Sequence, residues 1–111
     1  MKTINKLVRD NIPDILSKNN KTFDTSLLSD DQEYIAALKQ KLVEEAHEVL
    51  ETTNKETMTH ELADVLEVIE ALMKASDITL DNVIKVKEEK AITNGKFDKR
   101  IFLCNLKDND I

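Results

Sequence analysis

One glycine and one proline in 111 residues leave this chain few ways to turn sharply. Tight turns draw on glycine for positive φ and on proline for a pre-set φ. An all-β fold needs such a turn about every ten residues. Sandwiches, barrels and Gly-rich phosphate loops are therefore excluded, and a mostly helical chain remains. Aromatic residues make up only 4% of the chain and Trp is absent, so the core has to come from Leu, Ile, Val and Ala. That palette suits packed helices. The length fits one domain spanning residues 1–111. Area scaling at this mass allows roughly two-thirds of the chain's surface to be buried. A core of that size commonly gains stability by oligomerising.

Sixteen basic against twenty-two acidic residues give a net charge of −6. This balance disfavours nucleic acid, which selects a cationic face, and disfavours anionic membranes for the same reason. No apolar run approaches the roughly 20 residues of a membrane span. The first thirteen residues lack the apolar stretch of a signal peptide. The lone Cys104 rules out an internal disulfide and fits a reducing compartment. The expected location is the cytoplasm.

Apolar spacing places the helices. An extended entry, with Ile4, Leu7 and Val8, leads to a short helix after Pro13. Residues 19–28 form a polar connection. Ser29 and Gln32 stand at capping-box spacing and open a long helix. Its stripe is Ile35, Leu38, Leu42, Ala46 and Val49. Residues 52–57 make a joint. A second long helix, from about Glu56 to Ala75, carries Leu62, Val65, Leu66, Ile69, Leu72 and Met73. A turn ends at Thr79, a candidate N-cap. A third long helix stops at Gly95, whose conformational freedom suits a C-cap. Short joints imply antiparallel neighbours. The expected fold is all-α: an antiparallel bundle of three long helices plus a short N-terminal helix, completed by oligomerisation.

Two acidic groups carry the chemical signal. Glu44-Glu45-x-x-Glu48 lies on the first long helix and Glu61-x-x-Asp64 on the next. Residues at i and i+3 are separated by about 60° around a helix and about 4.5 Å along it, so each pair can converge on one ion. Antiparallel helices can then face Glu45 and Glu48 toward Glu61 and Asp64. Four carboxylates this close need a counter-charge. Their all-oxygen, hard character selects Mg²⁺, with Mn²⁺ as the next choice. Two such ions could activate water and hold a phosphate chain for in-line attack. Acidic residues are common here, and chance alone supplies roughly four acidic i,i+3 pairs, so a solvated acidic face is the competing reading. The apolar neighbours Leu42, Ala46 and Leu62 favour the site.

Two partial motifs fall short. Glu44-x-x-His47 matches one half of a di-iron helix pair, but no second Glu-x-x-His exists. His60-Glu61-x-x-Asp64 resembles a zinc-protease helix without its second histidine. Beyond Gly95 lies a basic run, Lys96-Phe97-Asp98-Lys99-Arg100. It suits either a phosphate or the negative end of the preceding helix.

Taken together, KLVRDNIP, the central EEAHE, ELADVLEVIEAL and the terminal GKFDKR resemble the MazG-like, all-α nucleoside triphosphate pyrophosphatases. Within them they most resemble the phosphoribosyl-ATP pyrophosphohydrolase-like branch, over about residues 4 to 104. The resemblance implies hydrolysis between the α and β phosphates of a nucleotide, giving a monophosphate and pyrophosphate. It implies that Glu45, Glu48, Glu61 and Asp64 are the catalytic residues and hold Mg²⁺. It implies that Lys96 and Arg100 bind substrate phosphate. Where the branch often reads Gly-Gly-Phe, this chain has Gly95-Lys96-Phe97. Glu44, Arg9 and Asp10 lie in matching segments without an assigned role. The resemblance also implies a homodimer or homotetramer. Two other functions stand beside nucleotide clean-up: the phosphoribosyl-ATP step of histidine biosynthesis, and a helical interaction module without enzymatic activity.

Overall fold

Residues 2–107 are described by a computed structural model of the chain. Among them are four helices and no strand. The helices are α1 (Ile12–Lys18), α2 (Asp31–Glu51), α3 (Lys55–Ala75) and α4 (Leu80–Asn94). The expected all-α class, with three long helices and a short first one, is what the chain adopts. The chain divides after Thr79 into two compact units.

The first unit is built on the hairpin of α2 and α3. Each helix has 21 residues, and they pack along each other. Only residues 52–54 join them. So short a connection between two packed helices forces them antiparallel. The joint is held chemically: the Asn54 side chain accepts the Thr57 backbone N–H at 2.8 Å and caps α3. Apolar spacing alone puts the start of this helix at about Glu56 and gives no sign of this cap. The capping-box spacing of Ser29 and Gln32 is not realised. Instead the N-cap of α2 is Asp30, and no side chain caps it. Asp31 and Glu33 supply negative charge to the first turn in its place.

The register of the core also differs from expectation. The buried residues of the hairpin are Leu38 and Val68, and Val68 was absent from the expected stripe. The inner face of α2 runs Ile35, Leu38, Leu42, Glu45, Val49, and that of α3 runs Glu61, Val65, Val68, Leu72. Both alternate steps of three and four residues, the spacing of a helix–helix seam. Leu62 and Ala46, expected in the core, are exposed, Leu62 by 47%. Each lies one residue past a seam position, hence about 100° around its helix. A two-helix hairpin covers one face of each helix and leaves that flank open.

The N-terminal segment reaches α1 through a turn at Asp10 and Asn11. Pro13 sits at the start of α1, where its missing N–H is no loss. The second unit comprises α4 and the segment after it. As expected, Gly95 ends α4, with φ +82 and its N–H donating to the Ala91 carbonyl at 2.9 Å. A turn follows in which the Arg100 N–H donates to the Phe97 carbonyl at 3.1 Å.

Candidate metal centre

Seam geometry brings three of the four candidate carboxylates together. Glu45 and Glu61 each lie eight residues from Thr53, at the middle of the joint, so they sit level across the hairpin. Each occupies a position that is otherwise apolar along its helix. Asp64 stands one turn past Glu61 and points to the same side. One oxygen each from Glu45, Glu61 and Asp64 all lie within 4.8 Å of one another. All three residues are half-buried. Glu48 is exposed and outside this group. Its charge nonetheless reaches Glu61.

The electrostatics follow from the crowding. Partial burial, then the neighbouring carboxylates of Asp64, Glu48 and Glu45, push the Glu61 carboxyl above its ordinary value of 4.5. His60 pulls weakly the other way. Two cations flank the cluster. Arg9 pairs with Asp64 at 2.7 Å, and Lys41 lies 3.6 Å from both Glu44 and Glu45. The Arg9 contact spans 55 residues of sequence, and no local pattern foretold it.

The donor set fits a hard divalent cation. It is all carboxylate oxygen, and two oxygens on one Mg²⁺ lie at most about 4.2 Å apart. Neighbouring oxygens on such an ion lie about 3 Å apart, so closing the present spacing takes side-chain adjustments on the order of 1 Å. Neither histidine joins the group. His47 pairs with Glu51 at 3.0 Å on the exposed side of α2, and His60 is exposed. The di-iron and zinc-protease readings thus lack their nitrogen ligands. Cys104 is an exposed free thiol.

Lys96 and Arg100 lie in the second unit, both exposed. Arg100 holds φ +59, a left-handed conformation uncommon for a long side chain.

A raised Glu61 pKa has a signed consequence. Between pH 4.5 and that raised value, the folded chain holds a proton that the unfolded chain has released. Cation-free stability therefore falls as pH rises through this window and is regained below it. A divalent cation bound there would require the ionised form, so its affinity would fall over the same window as pH drops. Melting curves with and without Mg²⁺ across pH should diverge upward in pH and converge on acidification.

The sequence profile of the phosphoribosyl-ATP pyrophosphohydrolase family matches residues 4–91. This span includes Arg9, the hairpin and all four acidic candidates, and it stops before Lys96 and Arg100. No curated protein and no solved structure shows a significant match. A match over most of the chain, together with the all-α hairpin, settles the assignment: the chain belongs to the phosphoribosyl-ATP pyrophosphohydrolase family, within the MazG-like all-α nucleoside triphosphate pyrophosphatases.

Proposed function

We propose that the protein is a cytoplasmic, Mg²⁺-dependent nucleotide pyrophosphohydrolase that cleaves between the α and β phosphates of a nucleoside triphosphate. The family supports nucleotide pyrophosphohydrolysis. The observation that carries the finer reading is the convergence of Glu45, Glu61 and Asp64 within 4.8 Å. Mg²⁺ held there, or Mn²⁺ in its place, would supply Lewis-acid charge against phosphate oxygens and a lowered pKa for bound water.

The residues divide the work. Glu45, Glu61 and Asp64 bind the cation, and Glu48 adds negative charge at the rim and completes the ligand set. Lys41 holds Glu45 from one turn back along α2. Lys96 and Arg100 donate charge-assisted hydrogen bonds to phosphate oxygens. The sum of the reaction is one water consumed, with one monophosphate and one pyrophosphate released. General nucleotide clean-up is favoured over the phosphoribosyl-ATP step because no element of the sequence reads the additional phosphoribosyl group. Turnover of a panel of nucleotides should show nucleoside triphosphates hydrolysed with higher kcat/KM than phosphoribosyl-ATP. The reverse order would assign the histidine-pathway step instead.

The working form is a homodimer or homotetramer. Val43 and Leu50 on α2 are 62% and 78% exposed, and Leu66 on α3 is 59% exposed. An apolar flank of this kind is normally covered. Leu50→Glu should shift sedimentation toward a lighter species without loss of helical signal. A monomer at all concentrations in the unaltered protein would overturn the assembly.

A further inference from the structure

Asp64 already has a cationic partner. The Arg9 guanidinium donates from Nη2 to Asp64 Oδ1 at 2.7 Å. Arg9 belongs to the extended entry segment and is anchored at the turn into α1, where its carbonyl accepts the Ile12 N–H at 3.1 Å. Glu45 has a looser partner in Lys41, at 3.6 Å. Among the described residues, Glu61 has no ion-pair partner. Charge in the cluster is thus compensated unevenly, and the shortest compensation comes from a distant part of the chain.

We infer that Arg9 is the resident counter-ion of this site, so that the Arg9 guanidinium and a divalent cation compete for Asp64. The inference rests on the reading of Glu45, Glu61 and Asp64 as cation ligands. Three carboxylates within 4.8 Å repel one another, and a guanidinium on one of them offsets that cost before any cation arrives. The Arg9 and Asp64 side chains are 58% and 39% exposed. Water screens so exposed a pair, so its net hold is weak and a divalent charge outcompetes it. Once released, the planar fork of Arg9 stands at the rim of the site, where it matches the oxygens of a phosphate. Arg9 is therefore a positioning residue whose partner changes on cation loading.

Calorimetric titration of the full chain with Mn²⁺ at fixed ionic strength tests this. Arg9→Gln removes the competitor and should tighten the Mn²⁺ Kd by roughly two- to fivefold. Arg9→Lys keeps a charge without the fork and should fall between the two proteins. In the unaltered protein, Mg²⁺ titration should move the Arg9 Nε–H resonance in step with binding. That readout needs no substitution, and a guanidinium with a purely structural role would not respond. Equal or weaker Mn²⁺ binding by a folded Arg9→Gln, or an unmoved resonance at saturating Mg²⁺, overturns the counter-ion role and leaves the cation reading standing. No saturable binding by any of the proteins overturns the cation reading, and the role of Arg9 with it.

Discussion

Glu61→Gln should abolish nucleotide hydrolysis and leave the cation-free protein as stable as before, or more so. Its two effects are opposite in sign because one carboxylate serves one state and burdens the other. Without a cation, Glu61 sits in the seam beside Asp64, Glu48 and Glu45, and its partial burial, then these charges, raise its pKa. The neutral amide keeps the shape and removes the repulsion. With a cation, the loss is of a charged ligand. Losing even an outer-shell partner costs roughly 10–100-fold in metal affinity or activity, so kcat/KM should fall by at least about a hundredfold. Asp64→Asn should lose activity similarly, and it also removes the Arg9 pair at 2.7 Å. Pyrophosphate release and thermal melting of the same preparations give both readings. Unchanged turnover in either variant removes that residue from the site.

Leu38→Ala should be the most damaging apolar truncation in the hairpin. Leu38 is 3% exposed and, among the described residues, shares the buried core with Val68 alone. Both lie fifteen residues from Thr53, at the same level of the two helices. Truncating a buried leucine costs about 2–5 kcal/mol through lost transfer energy and the cavity left behind. A core this small has little capacity to absorb that loss, and domains of this size have only about 5–15 kcal/mol in total. The melting temperature should fall by roughly 10 °C or more. Leu62→Ala, on the open flank of α3, should cost the hairpin much less. Equal losses from the two substitutions would contradict the seam register.

Most of the fold was legible because helices announce themselves by spacing. The stripe of α2 apart from Ala46, the stop at Gly95 and the start after Thr79 all follow from local rules. The register within α3 was not legible in the same way. Leu62, Val65, Leu66 and Val68 are all apolar, and periodicity marks a broad face without saying which part meets a partner. The signal that resolves it is the symmetry of the hairpin about residue 53, which sets Leu38 level with Val68 and Glu45 level with Glu61. The N-cap of α2 was misplaced by one residue because Ser29, Asp30 and Asp31 are all credible caps.

The candidate site was legible in its acidic pairs and misread in their surroundings. Glu45 and Glu61 were expected to stand beside core residues Ala46 and Leu62. In the structure they occupy seam positions themselves, and those two apolar neighbours face outward. This strengthens the physical case, since a carboxylate in a seam needs compensation more than one beside it. Glu48 did not join the close group: it lies one turn nearer the joint than Glu45 and is exposed, whereas Asp64 lies one turn farther from the joint than Glu61, so the two antiparallel helices carry them apart along the axis. Arg9 could not be paired with Asp64 from sequence, because the contact depends on how the entry segment returns to α3.

Product analysis tests the central claim most directly. Incubation of the purified protein with each nucleoside triphosphate and Mg²⁺ should release monophosphate and pyrophosphate in equal amounts, and chelation of the cation should stop it. Release of orthophosphate and a diphosphate, or no cleavage of any nucleotide in the panel, phosphoribosyl-ATP included, would contradict the account.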